Sequence, residues 1–233
     1  MPGAFSAPQV MGLLGGLVAV QFVAGRFGFW LASALGLDVS TGASFLLPTL
    51  GLPSLAGIAW VWFMAVWREP GGWRALGLAP ISAHWLRLAI VAALGCYLLG
   101  VLTAMLAAPI FGLPKGPPAP IRPGDVAPTF GFVSIFVLTC VVLAPLLEEL
   151  VFRGVLFAWL RRWMGFLPAA ALAAAPHAAV HFDVGAMPAL FAIFVVLAWL
   201  YERSGSLWPA VIAHGGHNLI SMGLALAAAR WVS

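Results

Sequence analysis

Charge is what this sequence has least of: Asp, Glu, Lys and Arg together make up 8% of its 233 residues. A soluble domain carries about a quarter, and so few charges cannot clothe a water-facing surface of this size. A water-soluble enzyme or binding module is thereby excluded, and lipid is the expected solvent. Cysteine is scarcer still. Cys96 and Cys140 are the only two, both inside apolar runs, which excludes a disulfide framework. The N-terminus lacks the basic stretch and small-residue cleavage site of a secretory signal, so its first apolar run is expected to stay as a membrane helix. Basic patches interleaved with aromatics are also missing. The net charge of +4 is therefore read as arginines anchoring loops at a membrane face, not as a nucleic-acid surface.

What the sequence has in excess is apolar length, with 63% hydrophobic residues. A spanning helix needs about 20 mostly apolar residues. Seven candidates follow one another: Val10 to Leu35, Ala43 to Trp67, Leu86 to Phe111, Thr129 towards Trp163, a short run from Phe166 to His181, Met187 to Tyr201, and Leu207 to Ala229. The expected fold class is all-α, a polytopic transmembrane helical bundle of about seven spans in one membrane domain. Between the third and fourth spans, Gly112 to Pro128 holds Pro114, Pro117, Pro118, Pro120, Pro123 and Pro128, which excludes a helix and predicts an extended loop. This loop separates N-terminal membrane helices (1–128, loop included) from a second helical core (129–233) in the same membrane domain. Arg68, Arg74, Arg87, Arg161, Arg162 and Arg203 flank loops that seven spans bring to one face. The positive-inside rule makes that face cytoplasmic and puts the N-terminus inside. Trp60, Trp62, Trp67, Trp73 and Trp85 read as interfacial aromatics, and Arg26 as snorkelling or pairing with Asp38.

Ionisable groups inside a membrane bundle are costly and mark function. Three clusters occur, all in the second half: Glu148-Glu149 with Arg153, His177 with His181, and His214-Gly-Gly-His217-Asn218. Glu149 and Arg153 are four apart and share a helix face, so they can pair structurally. Glu148 is turned about 100° away and stays available as a general base. His214 and Asn218 also share a face, and both can donate hydrogen bonds to a developing oxyanion. Gly215 and Gly216 between them allow close approach of another helix. The plainer readings are a Glu–Arg network tying helices together and polar faces bonding between helices. A carboxylate, histidines and an asparagine around one hydrated hollow can instead activate water and hydrolyse an amide without a covalent intermediate.

The run Ala144-Pro-Leu-Leu-Glu148-Glu149-Leu-Val-Phe-Arg153-Gly154 resembles the first motif of the CPBP family, which includes the type II CAAX prenyl endopeptidases and bacteriocin-processing, Abi-like proteins. That motif is two glutamates, three residues, arginine. The second family motif is phenylalanine, three residues, histidine; His181 falls at its histidine, and His177 stands where the family has phenylalanine. The third is histidine, three residues, asparagine or aspartate, matched by His214 and Asn218. The stretch from Trp199 to Ala210 is also similar, and the resemblance spans about Val133 to Ser221.

The resemblance implies an intramembrane endopeptidase. Glu148 would be the base, working with His181 on the water. His214 and Asn218 would form the oxyanion site, with Glu149 and Arg153 supporting the geometry. No cofactor is expected. The alternative is a zinc site built from His177, His181 and His214, since His177 and His181 stand one turn apart like the histidine pair of a zinc helix; for His177 itself a hydrogen-bonding core residue is preferred to a ligand. The implied partners are the lipid bilayer and a membrane-anchored, prenylated or other peptide substrate, and the implied location is the inner (plasma) membrane of a bacterium. A bacteriocin-immunity protein without enzymatic activity is the competing class. A transporter is disfavoured because the polar clusters lie in one half of the chain.

Depth arithmetic leaves one discrepancy. Glu148 precedes Trp163, and His181 follows Phe166, by 15 residues each, or roughly 22 Å. His214 is 7 residues beyond Leu207, or roughly 10 Å. Either the last helix starts deeper than the others or the fourth extends beyond the membrane.

Overall fold

A computed structural model describes residues 5–39, 42–67, 69–115 and 129–232. Most of the proline-rich loop, with Arg122 and Asp125, lies outside the described residues, as does Arg68. Helices account for each apolar run: α1 (Ala7–Ala34), α2 (Ser44–Val66), α3 (Ala83–Phe111), α4 (Phe130–Leu160), α5 (Phe166–Ala179), α6 (Met187–Ser204) and α7 (Trp208–Val232). Six of them are long and apolar enough to cross a membrane. The exception is α5, whose 14 residues rise about 21 Å against a hydrocarbon core of about 30 Å. This is a polytopic integral membrane bundle, and among the described residues it contains no strand.

Local chemistry explains the ends. Ser6 starts α1 with a reciprocal capping box, its backbone N–H donating to Gln9 Oε1 at 2.8 Å. Thr129 caps α4 by accepting from the Phe132 N–H at 3.2 Å. Gly205 ends α6 at φ 68°, the left-handed conformation that glycine adopts without strain.

One end of the bundle is knotted together by polar contacts. Arg161 grips Glu202 through Nε and Nη2 at 2.7 and 3.0 Å, and those bonds raise its guanidinium above the ordinary arginine value. Arg162 donates to the Phe5 carbonyl at 2.9 Å. Leu207 N–H donates to Gly77 O at 2.8 Å, and Ser206 Oγ to Ala79 O at 2.7 Å. At the other end Lys115 N–H donates to Asp183 Oδ2 at 2.7 Å.

One core cluster joins α1, α2, α4 and α5 around Leu17, Val61, Leu147, Leu150 and Phe157. A second joins α3, α5, α6 and α7 around Cys96, Ala174, Phe194 and Ala213. Trp60 departs from the interfacial role expected of it. Its ring packs on Gly16 of α1 and its Nε1–H donates to Leu13 O at 2.9 Å. Burying an indole against a glycine satisfies its donor where lipid offers none. Both cysteines are free thiols.

Candidate active site

Proline shapes the wall of the site before any ionisable group is considered. Two stretches of α4, Val137–Leu143 and Leu150–Phe157, are wound as π-helix on either side of the Glu148–Glu149 pair. Such widened turns often accompany functional sites. Pro145 has no N–H to return to Val141, and the Ala144 N–H reaches back to Thr139 O. The Cys140 carbonyl is thereby left without its usual helical donor, and the Asn218 side-chain amide supplies one at 2.9 Å. The Val141 carbonyl faces Gly215, where a Cβ would collide with it. Gly216 meets the Cβ of Ala93 on α3 at 2.7 Å in the same sense. The two glycines thus let α7 lie directly on the backbone of α4 and close to α3.

Five side chains form one hydrogen-bonded cluster. Arg153 Nη1 lies 3.0 Å from Glu149 Oε1 and 2.7 Å from His177 Nδ1, while its Nη2 donates to the Phe194 carbonyl at 2.7 Å. His177 Nε2 lies 2.8 Å from Glu148 Oε2. His214 Nδ1 lies 2.9 Å from Glu149 Oε1, and its Nε2 3.6 Å from Glu148 Oε2. Glu149, Arg153, His177 and His214 are buried. Glu148 keeps 28% of its side chain exposed, so of the two glutamates it is the one a water can reach. The pairing expected of Glu149 with Arg153 is present, and so is the separate outlook of Glu148.

His177 sits between two phenylalanine faces, Phe152 at 4.0 Å and Phe194 at 3.6 Å, with interplanar angles of 7° and 3°. His181 follows just beyond the end of α5, exposed, with its ring centroid 6.0 Å from that of His177. Phe182 next to it holds φ 53°, an uncommon conformation for a bulky residue. One ligating atom each from Glu148, His177 and His181 lie within 4.8 Å of one another. The zinc candidates expected from sequence were His177, His181 and His214; the group in the structure has Glu148 in place of His214. Asn218 stands apart from the hydrogen-bonded cluster. Its amide is bonded to Cys140 O, and it lines a cavity of about 230 Å³ with Phe136, Cys140, Ser221, Met222 and Ala225.

The depth discrepancy resolves at Gly154. A Cβ there would stand 3.0 Å from Leu76 O and 3.3 Å from Leu207 Cδ1. Leu207, fully buried, is therefore level with Gly154 and not with the end of α4. From Gly154 back to Glu148 is 6 residues, and from Leu207 on to His214 is 7; both are about 9–11 Å. The last helix starts deep, and its histidine arrives at the level of the glutamates. Sequence reasoning left both alternatives for the depth open, and it read His177 as a hydrogen-bonding core residue without identifying Arg153 and Glu148 as its partners. The available signal for the latter was the imidazole standing where the similar family has an aromatic ring.

Seven apolar helices around a buried carboxylate–histidine–arginine centre define a membrane-embedded protein with the polar groups of a hydrolase. Residues 128–220 match the family model described as type II CAAX prenyl endopeptidase Rce1-like, the segment that carries all three clusters. This segment belongs to that family, which is one of proteases, and the protein is an intramembrane protease of the CAAX type acting on a peptide substrate. No curated protein and no solved structure matches the chain.

Proposed function

We propose that the protein cleaves a peptide bond in a membrane-associated or lipidated substrate using a water activated by Glu148. The observation that carries this reading is the partly exposed Glu148 carboxylate set among His177, His181 and His214. Groups up to 4.8 Å apart can share one water bonded to both, since each such bond is about 2.8 Å long. Glu148 and His181 hold the water in this way. Its oxygen attacks the scissile carbonyl carbon while Glu148 takes a proton. The proton then passes to the leaving amine as the C–N bond breaks, leaving acid and amine products with Glu148 ionised again.

His214 gives its Nδ1–H to Glu149, whose Oε1 also accepts from Arg153 Nη1. Its other ring nitrogen, Nε2, turns to the Glu148 side, 3.6 Å from Oε2, where as an N–H it would face the reacting centre. That N–H and the amide of Asn218 are the donors for the tetrahedral oxyanion. One Asn218 N–H is held by Cys140 O, which orients the other.

A zinc reading has one observation in its favour, the grouping of Glu148, His177 and His181. Three donors suit a catalytic zinc. The surroundings suit it less well. Metal-bound histidines ordinarily donate their other N–H to an acceptor, whereas His177 Nδ1 faces the donor-only guanidinium of Arg153 at 2.7 Å. The metal-free scheme is therefore favoured.

The bilayer is a bacterial inner membrane in this reading, with the N-terminus cytoplasmic. The test of function is cleavage of a peptide library, prenylated and unprenylated, by purified protein. Cleavage abolished by Glu148→Ala and by His181→Ala supports the scheme; cleavage intact in both rejects it. Full cleavage after removal of metal ions supports the metal-free form, and loss restored by zinc supports the other.

A further inference from the structure

His177 is a buried ionisable group to which the hydrolytic scheme gives no step. The guanidinium of Arg153 has donors only, so His177 Nδ1, 2.7 Å from Arg153 Nη1, must accept. The neutral ring then carries its proton on Nε2 and donates it to Glu148 Oε2 at 2.8 Å. The two phenylalanine faces at 4.0 and 3.6 Å hold the ring plane. A half-turn of the imidazole would set C–H groups against both Arg153 and Glu148. Arg153 is itself fixed by Glu149 Oε1 and the Phe194 carbonyl. An ordered line of hydrogen bonds thus runs from a clamped, buried cation through one oriented imidazole to a single oxygen of Glu148.

We propose that His177 is a positioning residue that pins Glu148 by its Oε2 and so leaves Oε1 as the oxygen that meets the water. The proposal rests on the reading of Glu148 as the base and adds the group that orients it. Packing alone does not account for an imidazole here. A phenylalanine, the residue of the similar family at this position, would fill the same slot between Phe152 and Phe194. It would take from Glu148 Oε2 its 2.8 Å donor and from Arg153 Nη1 one acceptor, and leave Glu148 freer to rotate. In this chain the aromatic slot and the hydrogen-bonding line are served by one side chain.

The substitutions that separate the two roles are His177→Phe and His177→Gln. Phenylalanine keeps the stacking and loses both hydrogen bonds. Glutamine loses the stacking, yet its carbonyl can accept from Arg153 while its amide donates to Glu148. A positioning role predicts that His177→Phe lowers kcat by at least about tenfold, as the loss of a group that orients a catalytic partner does, with KM little changed. His177→Gln then recovers most of that loss despite poorer packing and a lower melting temperature. A packing role predicts the reverse order, phenylalanine as active as wild type and glutamine less so, and that order overturns the proposal. Zinc bound by the wild-type protein and released by both variants also overturns it. Glu148→Gln is measured beside them. Cleavage surviving in Glu148→Gln defeats the base reading and this proposal together, whereas an inactive Glu148→Gln with a fully active His177→Phe defeats this proposal alone.

Discussion

His214 Nδ1 on α7 lies 2.9 Å from Glu149 Oε1 on α4, a contact between residues 65 apart in the chain. It joins the third ionisable cluster to the first, and it shares its oxygen with Arg153 at 3.0 Å. Glu149 is therefore the joint of the site. One of its oxygens ties the cation of its own helix to the imidazole of another.

Removing one side of that joint is costly. Arg153 and Glu149 are buried, with side chains 1% and 0% exposed, and breaking a buried pair leaves an uncompensated charge at a cost of about 3–5 kcal/mol. Arg153→Met is expected to lower the melting temperature of the purified protein strongly. Arg161→Met removes the pair with Glu202, which is about a quarter exposed on each side; it is expected to cost about 1 kcal/mol of stability or less and to lower the melting temperature only slightly. Equal losses in the two variants would contradict the ranking.

Gly215 is expected to be intolerant of even a methyl group, because its Cβ would collide with Val141 O. Gly215→Ala should push α7 from α4, lower stability and cut kcat by more than about tenfold, since a displacement near 1 Å already costs about a hundredfold. Gly223→Ala on the same helix, with nothing within 4 Å of the added carbon, should be neutral or slightly stabilising. Activity and melting curves of the two variants make the comparison.

Asn218→Ala removes one oxyanion donor together with the bond to Cys140 O. Its expected signature is a fall in kcat of about a hundred- to a thousandfold with KM nearly constant. A rise in KM at unchanged kcat would show that Asn218 binds substrate and does not stabilise the oxyanion.

The contacts at the ends of the bundle predict topology. Residues near Phe5, Met164 and Gly205 should be reached by an impermeant label from one side of the membrane, and residues near Asp183 from the other. Single cysteines at these positions, labelled in oriented vesicles, check it. The arginine content of the first side makes the cytoplasm the expected compartment.

Much of this was legible in the residues. Apolar runs marked α1 to α7 because lipid demands length and hides nothing polar. Four-residue spacing placed Glu149 with Arg153 on one helix face, where the two are paired. Three features were not legible. The depth of α7 depends on Leu207 seating against Gly154, a contact between distant segments that no local pattern encodes. The bond from Asn218 to Cys140 O depends on a widened turn around Pro145, which shifts partners by one residue. The sandwich around His177 needs Phe152 and Phe194 from two other helices to close on it. Pro145, three residues before Glu148, was the visible clue to the second of these.

Water activation by Glu148 stands or falls with the Glu148→Gln variant. Glutamine keeps the size of the side chain and an oxygen for His177, and it removes the basic carboxylate. Single-turnover cleavage is expected to be slower by about a hundredfold or more, with an unchanged melting temperature. Cleavage within a fewfold of the wild-type rate, in protein that is equally folded, would contradict that role.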